Sequence, residues 1–209
     1  MSEATTPSDP AAIYRSPAFV RRASDALGRD AEQVALAVDG LLQARRIPFG
    51  GGIAPDVAVW ADAARIVAAL AAAQVAPASV VTIAERICAM PLRSVAPHPA
   101  VDPPRTFGAD LASLLRHRRS VVAAEGGFPA VSVAWSRGAQ VLGGRIDFAE
   151  FGGPKRRYRQ ASPPVADLSS HAPPTAMKLR FASSSLVRFG DVMAGCVLGA
   201  EAVATACGD

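Results

Sequence analysis

Residues 28–55 read "GRDAEQVALAVDGLLQARRIPFGGGIAP", and the two ends of this stretch decide how the chain begins to fold. Asp30 has the short acceptor side chain that caps a helix, and Gln33 stands where a capping box reaches back. Val34, Val38, Leu41 and Leu42 then recur at helical spacing as far as about Ala44. Upstream, Ser16-Pro17 supplies a cap and a first-turn proline. The helix they start places Phe19, Ala23, Ala26 and Leu27 on one face and stops at Gly28. Only Gly28-Arg29-Asp30 separates the two helices, which predicts a helix-turn-helix pair. At the far end, Arg45 and Arg46 precede Gly50-Gly51-Gly52, a pattern that fits the flexible wing of a winged helix.

The glycines do not build a nucleotide site. A P-loop ends in Gly-Lys-Ser/Thr, whereas Ile53-Ala54-Pro55 follows here, and G-x-G-x-x-G is absent. In a DNA reader, Glu32 and Gln33 would meet base edges, while Arg21, Arg22, Arg29, Arg45 and Arg46 would meet phosphate.

Downstream, "WADAARIVAALAAAQ" (60–74) is an alanine-rich helix with Trp60, Ala64, Val67 and Leu70 or Ala71 on one side. Ser79 is placed to cap a further helix through Val80, Ile83, Ile87 and Met90, which Pro91 ends. "APHPAVDPPR" (96–105) holds four prolines in ten residues and reads as a linker. Thr106 or Gly108 starts the next helix. Val131, Val133 and Trp135 alternate, as do Ile146 and Phe148, so two strands meeting near Ser136-Arg137-Gly138 form a hairpin. "MKLRF" (177–181) fits a third strand. Ser183-Ser184-Ser185 caps a last helix interrupted by Gly195 and Gly199.

The expected fold is therefore α+β and mostly helical. A polar, disordered tail covers 1–14, a helix-turn-helix or winged-helix-like domain 15–95, a linker 96–105, and a helix, β-hairpin and C-terminal helix domain 106–209. Half of the 209 residues are hydrophobic, enough for a core, but only 6% are aromatic.

The net charge of +4 is unevenly spread: residues 100–160 carry ten Lys/Arg against five Asp/Glu, while residues 1–60 carry six against seven. A concentrated positive patch is the footprint of a polyanion contact. The densest run, "PKRRYRQ" (154–160), reads as a basic loop. In it Lys155, Arg156, Arg157 and Arg159 would hold phosphate and Tyr158 would stack on an exposed base. Arg116, His117, Arg118 and Arg119 close a helix, where its dipole favours cations without any ligand.

The stretches "LLQARRIPFGGGIAP" (41–55) and "ADAARIVAALAAA" (61–73) resemble a group of phage- and prophage-associated proteins. In these a leucine-rich helix leads through a Gly-rich basic wing to an alanine-rich helix. The resemblance covers mainly residues 15–75, with a looser echo to 194. It departs where Phe49 enters the loop and where Val59-Trp60 replaces a Ser/Thr-Pro start. It implies a non-catalytic DNA-binding protein, either a small-terminase-like packaging subunit or a regulator, with duplex DNA as partner. In that reading the second domain provides self-association as a homo-oligomer or contact with a phage protein; the alternative is an interaction or virion-assembly protein without nucleic-acid binding, whose hairpin and last helix bind another protein.

No catalytic or metal-binding residue and no cofactor is expected. His98, His117 and His171 share no ligand spacing, no G-x-S-x-G surrounds the serines, and Asp147 and Glu150 lack a partner pair. Cys88, Cys196 and Cys207 are odd in number and widely spaced, which argues for a reducing compartment. The polar start "MSEATTPSDP" is not a signal peptide, and Glu201 interrupts the apolar stretch 192–207. A cytoplasmic protein without membrane attachment is expected.

Overall fold

A computed structural model describes residues 10–47, 55–74, 76–93, 105–135, 141–148, 155–159 and 177–206. Among them are eight α-helices and five strands. The helices are α1 (Pro10–Arg15), α2 (Pro17–Leu27), α3 (Ala31–Gln43), α4 (Pro55–Ala73), α5 (Val80–Cys88), α6 (Phe107–Arg116), α7 (Arg118–Glu125) and α8 (Ser183–Ala206). The strands are β1 (Leu92–Arg93), β2 (Ala130–Trp135), β3 (Val141–Asp147), β4 (Lys155–Tyr158) and β5 (Met177–Phe181). The mostly helical α+β composition is as expected.

The helix starts follow the local chemistry. Ser16 accepts a hydrogen bond from the Phe19 amide at 3.2 Å, and Gly28 closes α2 at φ 60, a left-handed conformation suited to glycine. Asp30 caps α3 through the Glu32 amide at 2.7 Å. Gln33 does not complete a capping box, because its carbonyl oxygen accepts from Gln74 Nε2 at 3.2 Å. Thr106 caps α6 through the Ala109 amide. Ser79 makes no such bond and lies in a 3-10 turn over Pro77–Ser79.

Three expectations change. The polar tail ends earlier than 14: Pro10–Arg15 is helical, and Tyr14 is buried with its hydroxyl donating to the buried Asp62 at 2.9 Å. Second, α4 is not one-sided. Ala63, Ile66, Val67, Ala68, Ala69, Leu70, Ala71 and Ala72 are all buried, since α4 packs against α3, α5, α6 and α8 together. A helix surrounded on all sides has no polar face to show, and alanine lets its neighbours approach closely. Third, Arg118 starts a new helix rather than ending one. It is buried, bonds Asp191 at 2.6 Å and stacks 5.3 Å from the centre of the Trp60 ring.

The expected linker, apart from Arg105, lies outside the described residues, as do the glycine loop and the hairpin turn. The elements on either side of the proline-rich segment share one core, which runs unbroken from Tyr14 to Met193, with α6 and α8 both seated on α4.

The sheet is antiparallel throughout, in the order β1-β4-β3-β2-β5. The expected hairpin is β2-β3 and the expected third strand is β5. The basic loop is instead a strand: residues 155–158 pair with β3 and β1. Its alternation explains why, since Tyr158 fills the core while Arg157 stands exposed.

Candidate nucleic-acid interface

The two faces of the sheet differ because side chains alternate along every strand. Val131, Val133, Trp135, Ile146, Tyr158 and Phe181 are buried on the face toward the helices. There Tyr158 meets the Phe107 ring edge-on at 5.2 Å, and its hydroxyl donates to Asp110, a buried carboxylate at the start of α6. Arg105 Nε donates to the same carboxylate at 2.8 Å, and Arg156 approaches it at 3.6 Å. Burial, reinforced by the bond to Asp110, pushes the Tyr158 phenol up from its ordinary range. Gly144 shares this face because a Cβ there would come within 2.8 Å of the Phe107 ring.

The opposite face is built from the alternate residues. In the backbone register Arg93 pairs with Arg157, Arg157 with Arg145, Arg145 with Ser132, and Ser132 with Arg180. One row across all five strands thus holds four arginines and a serine. Arg157 and Arg180 are exposed, Arg145 is partly so, and the short Ser132 is buried. In the neighbouring row Ala134 pairs with both Gly143 and Lys178, and Lys178 is exposed. Arg159, just beyond β4, is exposed as well. Arg145 pairs with Asp147 two residues along the strand. Among the described residues no carboxylate pairs with Arg157, Arg159 or Lys178.

The residues singled out in the sequence do not form one surface. Arg21 and Arg22 are exposed on α2, with Arg22 near enough to α8 to offset part of the upward shift that burial gives the Cys196 thiol. Arg29 lies between α2 and α3 with its guanidinium 5.4 Å from the centre of the Phe181 ring, and its Nε is buried without a hydrogen-bond partner. Gln33 is engaged by Gln74. Arg45 adopts φ 53, a left-handed conformation uncommon outside glycine, and is exposed. Arg46 pairs with Glu85 at 2.7 Å. The exposed face of α3 carries Glu32, Leu36, Asp39 and Gln43 and no cation.

Within the basic run the residues divide. Arg156 turns inward, over the Phe148 ring at 5.3 Å and toward Asp110. Tyr158 is 1% exposed and cannot stack on a base. Arg157 and Arg159 face out, and Lys155 pairs with Asp147 in the register. Sequence reading missed Arg145, Lys178 and Arg180, which lie 9, 18 and 20 residues from that run and join it only through strand pairing. Period-2 alternation in "GGRIDF" and "MKLRF" was the available signal.

Among the described residues no group of three or more His, Cys, Asp or Glu is arranged to hold a metal ion, and no helix is long and apolar enough to cross a membrane. No family model, no curated protein and no solved structure matches the chain.

Proposed function

We propose that this is a non-catalytic DNA-binding protein whose contact surface is the outer face of its sheet rather than the helix pair. The observation that carries this reading is the register row Arg157–Arg145–Ser132–Arg180, flanked by Arg159 and Lys178. A rigid sheet holds cations in fixed spacing, so binding them to phosphate costs less side-chain ordering than gathering scattered ones. Arginine also suits phosphate through bidentate hydrogen bonds. The described outer face presents no aromatic ring, so it reads backbone charge rather than stacking bases, and duplex DNA of any sequence is the expected partner.

The helix pair has less to offer. Its α3 surface is acidic and apolar, Gln33 and Arg46 already have partners within the chain, and Arg29 stacks on the Phe181 ring. The resemblance of residues 41–73 to phage-associated proteins supports a packaging or regulatory setting. A terminase large-subunit gene beside this one would favour packaging.

Fluorescence anisotropy with a labelled duplex across a salt series tests the reading. Affinity should fall steeply with salt, and Arg157→Gln with Arg159→Gln should flatten the log–log slope by about two phosphate contacts, roughly 1.8. Arg45→Gln with Arg46→Gln should leave the slope unchanged. The reverse pattern would return the contact to the helix pair, and salt-independent binding would end the nucleic-acid reading.

One surface favours the alternative of a protein partner or self-association. A groove of about 670 Å3 between α3, the end of α4 and α5 is lined by Leu36, Gly40, Val80 and Val81 and by no charged residue; Leu36 is 62% exposed. Sedimentation analysis of Leu36→Glu against the parent chain checks it.

A further inference from the structure

The outer face is not flat. Where β2 and β3 lose register at Ala134/Trp135, Ala134 faces Gly143, so the middle of that row offers no more than a methyl group. Long side chains border this bare centre on both sides. Lys178 on β5 pairs with Ala134, and the Arg159 stem crosses the other side, its Cγ 3.6 Å from where a Gly143 Cβ would lie. Arg145 and Arg157 close the side toward the arginine row. The result is a hollow of about 260 Å3.

This hollow is a poor fit for an apolar or drug-sized ligand, whose sites run from about 300 to 1,000 Å3 and are mostly apolar. Its chemistry is that of an anion seat. Three of its four cations, Arg157, Arg159 and Lys178, have no carboxylate partner among the described residues. The fourth, Arg145, gives one side of its guanidinium to Asp147, while its Nε is buried with no hydrogen-bond partner. A buried N–H without an acceptor is costly, and Arg145 is one of the residues that line the hollow.

We infer that the hollow between β5 and the end of β4 is a discrete seat for one phosphate or pyrophosphate group, held by Arg145, Arg157, Arg159 and Lys178. The inference rests on the sheet-face reading and sharpens it: one phosphate is anchored at a fixed point, and the arginine row follows the backbone away from it. Phosphate in the seat comes either from a nucleic-acid backbone or from a small phosphorylated molecule.

Isothermal titration of the full chain with inorganic pyrophosphate, at constant ionic strength, is the test. The parent chain should bind with one-to-one saturation. Arg159→Gln with Lys178→Gln should weaken binding by about tenfold or more, the loss expected for charge-assisted hydrogen bonds. Arg15→Gln with Arg86→Gln, which removes equal charge from exposed helix positions, should not. Ala134→Glu, which puts a carboxylate into the hollow while leaving every cation in place, should abolish binding; circular dichroism of each variant reports the fold. Absence of saturable binding, or equal weakening by the two double variants, overturns the seat. Duplex binding without pyrophosphate binding also overturns the seat and leaves the broader reading standing. Pyrophosphate binding without duplex binding upholds the seat and assigns it to a small phosphorylated molecule.

Discussion

Arg156 and Arg157 are adjacent in sequence and face opposite sides of the sheet. Arg156 lies over the Phe148 ring on the helix side of the sheet, partly buried and 3.6 Å from the Asp110 carboxylate. Arg157 points to solvent, and no acid among the described residues pairs with it. The same contrast divides the whole molecule. Arg105 and Arg156 meet the buried Asp110 and Arg118 meets Asp191, in networks that join helices to one another and to the sheet, whereas Arg157, Arg159 and Lys178 face outward. A count of charges along the chain mixes the two sets. Partnering separates them, because a cation already neutralised at close range has little left to give a ligand.

The largest way to break this contrast is on the inner face. Asp110→Ala removes the acceptor of the Tyr158 hydroxyl and the partner of Arg105, leaving a buried phenol and a nearby guanidinium unsatisfied. It should cost about 3 kcal/mol of stability, read by urea unfolding, and a change below about 0.5 kcal/mol would show that the network is dispensable.

Alkaline titration gives a smaller, graded effect. Burial raises the Tyr14 and Tyr158 phenols above their ordinary 10.0 and pushes the Cys88 thiol from 9.0 up to about 12. Each folded-state value is raised, so the folded chain holds more protons than the unfolded one once pH passes the unfolded values. Stability is therefore full below about pH 9 and declines above it, by up to about 1.4 kcal/mol per pH unit for each group. Thermal unfolding between pH 8 and 11 measures this, and a flat profile would place these groups in contact with solvent.

The smallest effect belongs to the outer face. Arg157→Gln with Arg159→Gln should shift stability by no more than about 0.5 kcal/mol, while removing two cations from the row. A large loss of stability would mean that these arginines hold the fold and would dissolve the contrast.

Much of the fold was legible locally. Ser16-Pro17, Gly28, Asp30 and Thr106 mark helix ends through bonds made within a few residues, and alternation in 131–135 marks a strand. Where a nearby cap competed with a distant partner, local reading failed: Gln33 fits a capping box by spacing, yet Gln74 takes its carbonyl oxygen. The basic run failed for a related reason. "KRRY" alternates over only four residues, and its charge outweighs its pattern until a neighbouring strand is present.

The sequence by itself determined where α2 begins and ends and where α3 and α6 begin, that the chain is mostly helical with a small sheet, and that positive charge gathers in residues 100–160. These depend on caps, periodicity and composition, which act over one or two turns. Only the tertiary structure decided which cations are buried and which are displayed. Register brings Arg145, Arg157 and Arg180 into one row from three separate strands, and the helices cover one face of the sheet, so that alternate residues of "KRRY" meet opposite environments. Strand pairing and burial are long-range, and no stretch of the chain carries them alone.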